Sequence, residues 1–141
     1  MRILISNTKI SVRYAETDKM GIAHHSNYAI WYEAARTDLI KKIGLTYTEM
    51  ENIGVAVPLV ELHCKYISAA YYEDELTIEA KLTKITPVRL EFEYNVYKDD
   101  FHKPINKGKT VHAMVSKEMR IVNVKKNFPD LYKMLESAVE E

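Results

Sequence analysis

The chain has 141 residues, a length that suits one domain with a usable core, spanning 1–141. Twenty basic residues cancel twenty acidic ones, so no overall field draws the protein to nucleic acid or to an anionic membrane. A single cysteine, Cys64, excludes an internal disulfide and fits a reducing, cytoplasmic setting. No stretch is long and apolar enough to span a bilayer, and Met1 to Ser6 is too short a run for a signal peptide. There is no internal repeat, low-complexity segment or Pro/Gly/Ser-rich linker.

In chain order, Ile3 to Tyr14 is dense in β-branched residues and reads as a strand. A polar loop of about Ala15 to His25 follows, carrying Glu16, Asp18, Gly21, His24 and His25. Tyr28, Trp31, Tyr32, Ala35, Leu39 and Ile43 then recur at three- and four-residue spacing, which predicts a helix. Ser26 or Asn27 suits its N-cap, and Gly44 its end, with Lys41 and Lys42 in the last turn. The apolar face is broad and includes Trp31, the mark of a buried central helix. Glu33 and Arg36 are spaced to pair. Thr46 to Ile53 predicts a second short helix closed by Gly54.

Four strands are expected next. Val55 to Tyr66 is apolar enough to be covered on both faces, with a bend near Ser68-Ala69-Ala70. Leu76, Ile78, Ala80 and Leu82 alternate with polar residues, as do Leu90, Phe92, Tyr94 and Val96, giving two half-buried strands about a Thr86-Pro87 turn. Lys98-Asp99-Asp100 opens another connection, Thr110 to Met119 reads as the last strand, and Asn127-Phe128-Pro129-Asp130 starts a C-terminal helix. The order β-α-β-β-β-β with a terminal helix predicts an α+β fold on an antiparallel sheet and argues against a doubly wound one.

Strand, acidic loop and helix start together place a carboxylate near unpaired helix N–H groups, which carry partial positive charge. That pairing suits attack on an acyl carbonyl. No Gly-x-Ser-x-Gly elbow is present, and Cys64 lies in a strand-like run where a buried, inert thiol is expected. Adjacent His24 and His25 without a further ligand cluster do not suggest a metal, and His63, His102 and His112 read as packing. Asp18 has the ordinary alternative of accepting backbone hydrogen bonds in a turn, and Glu16 of bonding within its own loop.

Tyr14-x-Glu16-Thr17-Asp18-x-x-Gly21, followed by His25 and Tyr28, resembles the 4-hydroxybenzoyl-CoA thioesterase family, which includes the Tol–Pal-associated acyl-CoA thioesterases. The resemblance runs on through Tyr32-Glu33-Ala34-Ala35-Arg36-Thr37 and Tyr66 to Leu76, covering roughly residues 5 to 120. It implies a hotdog fold, one long helix wrapped by a curved antiparallel sheet. It implies Asp18 as the catalytic carboxylate, acting as nucleophile or as general base. Gly21 permits a backbone conformation the loop needs, and the resemblance implies that this loop brings N–H groups near His25 to the thioester oxygen while the imidazole of His25 orients acyl group or water. Tyr28 helps wall the acyl pocket by the same resemblance, Trp31 and Tyr32 lie in the same region with plain core packing as the alternative, and Arg89, at a strand start after Thr86-Pro87, is the first candidate for the phosphates of coenzyme A. The implied substrate is an acyl-CoA or an acyl carrier protein thioester, with no separate cofactor, and the implied assembly a homodimer or homotetramer. A 3-hydroxyacyl-thioester dehydratase and a non-catalytic acyl-CoA binder are the rival readings. Ala69 stands where family members often carry proline, which bears on pocket shape and not on Asp18.

Overall fold

The computed structural model describes residues 4–98 and 102–139, and its longest helix, α1 (Asn27–Ile43), packs against a five-stranded antiparallel sheet. The strands are β1 (Ile5–Ser11), β2 (Leu59–Tyr66), β3 (Glu75–Ile85), β4 (Arg89–Lys98) and β5 (Asn106–Ala113), in the spatial order β1-β3-β4-β5-β2. Short helix α2 (Tyr47–Ile53) follows α1, and α3 (Val124–Asn127) and α4 (Pro129–Val139) close the chain. This is the expected hotdog arrangement. The expected Asp99-Asp100 connection and the first three residues lie outside the described residues.

Period-two alternation builds the core. Leu76, Ile78, Ala80 and Leu82 of β3 register with Lys98, Val96, Tyr94 and Phe92 of β4, so the alternating apolar side chains share one face. The buried stripe of α1, Tyr28, Trp31, Tyr32, Ala35 and Leu39, meets that face. A side chain such as Leu39, fully withdrawn from water, contributes roughly 1.5–3 kcal/mol. Tyr32 lies flat on Tyr94, ring centroids 4.3 Å apart, and its hydroxyl bonds Asn106. Its ring also crosses Gly108 of β5, where a Cβ would come within 2.3 Å of it. Only glycine fits beneath that ring.

Four local readings need correction. The stretch from Val55 to Tyr66 is not covered on both faces. Its strand, β2, is a sheet edge paired only to β5, with Leu59, Val60 and Leu62 50%, 46% and 44% exposed. A continuous apolar run signals that something covers a strand, but among the described residues nothing covers Leu59, Val60 and Leu62. The last strand spans Asn106–Ala113 and not Thr110 to Met119, because backbone pairing to β4 and β2 recruits the polar 106–109 segment. Ser26 occupies the N-cap of α1 in helical geometry without capping it, since its Oγ bonds His24 Nδ1 at 2.8 Å. Glu33 and Arg36 form no ion pair: Arg36 turns inward and donates to the Tyr94 hydroxyl at 3.2 Å. Cys64 is half-buried, its Sγ 3.3 Å from the hydroxyl of Tyr32 and from Asn106 Nδ2.

Candidate active site

The loop between β1 and α1 is anchored by Glu16. A single 3-10 turn, Tyr14–Glu16, folds the Glu16 side chain back so that Oε1 accepts the Arg13 N–H at 2.8 Å. Its Oε2 accepts the indole N–H of Trp31 at 3.1 Å and an Arg13 guanidinium N–H at 3.3 Å. The Glu16 carbonyl accepts the His24 N–H and Asn27 Nδ2, both at 2.8 Å. One buried residue thus ties the strand end, the loop and the first turns of α1 together. Burial works against its charge, but the donors from Arg13 and Trp31 outweigh it and hold the carboxyl below its ordinary range.

Asp18 opens a tight turn. Its carbonyl accepts the Gly21 N–H at 2.9 Å, and its Oδ1 accepts the Met20 N–H at 2.9 Å. Gly21 sits at φ +81°, a conformation that side chains disfavour, with open space around it. The turn is stitched on by Asp18 N–H to Ile22 O at 2.9 Å and by Ala23 N–H to Ala70 O at 2.8 Å. Oδ2 of Asp18 has no hydrogen-bond partner among the described residues. Asp18 is therefore both turn residue and spare carboxylate oxygen.

The N–H of His25, just before α1, is likewise without a hydrogen-bond partner among the described residues. Its carbonyl is held by the Tyr66 hydroxyl at 3.2 Å, and its ring lies tilted against that of His24, centroids 4.0 Å apart. Tyr28, one turn on, meets Tyr66 edge-to-face at 5.3 Å. Burial, with Cys64 and Asp74 nearby, pushes the Tyr28 phenol up to about 12, so it stays protonated at any working pH. Asp18, His25 and Tyr28 line one cavity of about 310 Å³ together with Met20, Ile22, Ala23 and residues 66–69. Its walls are mostly apolar and its polar groups few, the usual balance of a small-molecule site.

The structure thus brings together Asp18, His25 and Tyr28, with Gly21 shaping the turn between them. It does not bring in Trp31 or Tyr32, which are 2% and 0% exposed and serve Glu16 and the sheet. The helical stripe that carries them rotates into the core one turn after Tyr28. Arg89 lies away from this cavity, in the β3–β4 hairpin, where its N–H bonds Thr86 Oγ1 at 3.0 Å. Tyr66 and the backbone after it form the wall that the sequence reading did not assign. The sequence signs were a tyrosine closing an apolar run and Ala69, where the resemblance points to pocket shape.

A family model described as the thioesterase superfamily matches residues 20–105, more than half of the chain. The chain belongs to that superfamily. It is 34% identical over 135 residues to YneP of Bacillus subtilis, provisionally named an acyl-CoA thioesterase, across 95% of this chain and 97% of that protein. A solved DHNA-CoA thioesterase of Staphylococcus aureus superposes with a TM-score of 0.88 at 30% identity, covering 94% of this chain and 89% of its own. The chloroplast acyl-acyl carrier protein thioesterase ATL3 of Arabidopsis thaliana is 23% identical over 82% of this chain and 61% of its own length. The reaction class of this superfamily member is thioester hydrolysis, and its fold is the hotdog. Among the described residues no helix is long and apolar enough to cross a membrane.

Proposed function

We propose that the protein hydrolyses acyl thioesters of coenzyme A, or of acyl carrier protein, in the Asp18 cavity. The observation that carries this reading is the pair of unused groups lining or flanking that cavity, Oδ2 of Asp18 and the N–H of His25. The thioester carbonyl oxygen accepts from the His25 N–H, whose helix-start position adds the positive end of the α1 dipole. Asp18 then attacks the carbonyl carbon, the C–S bond breaks, and the thiolate leaves with a mixed anhydride on Asp18. Water hydrolyses the anhydride and restores the carboxylate. In the general-base variant Asp18 takes a proton from water, which attacks instead. A thiolate is a good leaving group, so neither route needs a stronger nucleophile. Gly21 keeps the turn, Tyr28 and Tyr66 wall the acyl group, and the His25 imidazole orients it.

The same reading includes a homodimer in the cytoplasm, where a lone half-buried thiol stays reduced. Unpaired edge strand β2 exposes apolar side chains that a second copy would cover, and residues 66–69 carry the Asp18 cavity to the end of that strand. The active sites then lie at the subunit boundary. A thiol-release assay over a panel of acyl-CoAs tests the chemistry: Asp18→Asn should lower kcat by about two to four decades with folding unchanged. More than a tenth of wild-type turnover in that variant would remove Asp18 from the mechanism.

A further inference from the structure

We propose that a second cavity, lined by Arg36 and Tyr47, reads the far end of the acyl group bound in the partner subunit's Asp18 cavity, and that this end carries an oxygen function. The proposal rests on the dimeric thioesterase reading above. Two polar groups withdrawn from the surface, one buried and one half-buried, motivate it. The Tyr47 hydroxyl is buried without a hydrogen-bond partner among the described residues. The Arg36 guanidinium donates to the Tyr94 hydroxyl, lies against the Tyr47 hydroxyl, and has no carboxylate within ion-pair reach among the described residues. Both line a cavity of about 340 Å³ between α1, α2 and residues 56–58. A half-buried cation without an anion and a buried phenol hydroxyl without an acceptor are each costly, and both are donors. What satisfies them together is an acceptor oxygen. Residues 56–58 and Met119 make the other walls apolar, so the oxygen would arrive on a carbon framework. Exposed Glu33 and Glu51 line the same cavity, which disfavours multiply charged ends and gives the hydrogen of a hydroxyl a place to go.

The position of this cavity along the chain decides whose substrate it meets. Residues 56–58 immediately precede β2, and residues 67–69 of the Asp18 cavity immediately follow it. A two-fold axis perpendicular to the sheet pairs β2 antiparallel with its copy. Pairing centred on the strand then sets Leu59 opposite the partner's Tyr66, and residues 56–58 abreast of residues 67–69 of the partner subunit. Each Asp18 cavity would so be continued by the Arg36–Tyr47 cavity across the boundary.

The test compares three acyl-CoAs of equal length ending in a hydroxyl, a carboxylate or a methyl group. Wild-type protein should favour an oxygen-ended substrate over the methyl-ended one by about tenfold or more in kcat/KM. The arm with the larger advantage identifies the oxygen source, and Glu33 and Glu51 favour the hydroxyl. Arg36→Met and Tyr47→Phe should each erase the preference. Mixed dimers of differently tagged Asp18→Asn and Arg36→Met chains then decide the geometry. Across the boundary, one site carries both defects and the other neither, so the mixed dimer should recover about half of wild-type activity with the preference restored. Were Arg36 to serve the Asp18 of its own chain, the one site with an intact Asp18 would lack Arg36, and the mixed dimer would hydrolyse all three substrates without the preference, which overturns the proposal. Equal wild-type rates on all three substrates overturn it too. Hydrolysis of none of them would defeat the thioesterase reading itself, a distinguishable failure. If Arg36→Met does not fold, Tyr47→Phe replaces it in the mixed dimer and keeps the packing.

Discussion

Replacing Glu16 by glutamine changes one atom type and should disturb both stability and turnover. The carboxylate offers two acceptor oxygens, one to the Arg13 N–H at 2.8 Å and one to the Trp31 indole at 3.1 Å. A glutamine amide has one oxygen and one NH₂, so either orientation sets donor against donor on one side. Losing one charge-assisted bond at a buried site costs about 1.5–3 kcal/mol. For a chain of this size that lowers Tm by several degrees, at roughly 2–4 °C per kcal/mol. The same side chain holds the loop that carries Asp18, and a displacement of about 1 Å there costs on the order of a hundredfold in kcat, with KM less affected. The pH dependence has a definite sign. The folded Glu16 carboxyl titrates below the unfolded value of 4.5. Its stabilisation is therefore complete above about pH 4.5 and fades as pH falls through the lower folded value. Melting curves by circular dichroism at pH 7 and at about pH 3 should show a wide gap between wild type and Glu16→Gln that narrows in acid, and thiol release at pH 7 should show the fall in turnover. An unchanged Tm at pH 7 together with more than half of wild-type kcat would refute this account of the loop.

Two further outcomes are expected. Gly21→Val meets no neighbour but must adopt φ +81°, so it should distort the turn and displace the His25 N–H, costing roughly 3 kcal/mol of transition-state stabilisation in kcat. His25→Ala keeps that N–H and should cost much less, with both variants folded by circular dichroism; the reverse order would make the imidazole the catalytic group. For assembly, light scattering at micromolar concentration should give twice the chain mass of 16.4 kDa, and Leu62→Lys, on the exposed edge strand, should shift it toward monomer. A wild-type monomer would end the boundary-site reading.

Much of the architecture was legible because its signals are local. The stripe of α1, the alternation of β3 and β4, and the Thr46 start of α2 each declare themselves within a few residues, and Thr46 indeed exchanges capping bonds with Glu49. The Asp18 loop was legible too, as a motif. What escaped were features decided by partners distant in sequence. Hydrophobicity along β2 reports that the strand is to be covered, but not by what. Tyr28 and Trp31 lie on one helical stripe, yet only the loop packed above the first turn separates a cavity wall from a core residue. Spacing allowed Glu33 to pair with Arg36, and the aromatic hydroxyl of Tyr94 in β4 took the guanidinium instead.

The crossing of Tyr32 over Gly108 has a consequence for how this chain can change. The tyrosine is stacked on Tyr94 and bonded at its tip to Asn106, and both contacts resist its yielding to a larger residue at 108. Helix and sheet are thereby held at a separation gauged by one absent methyl group. Alanine at 108 becomes admissible only if the ring at 32 shrinks, and a smaller side chain at 32 leaves a void that invites growth at 108. The two positions form a single locus of size, and a substitution at either has a different meaning depending on what occupies the other.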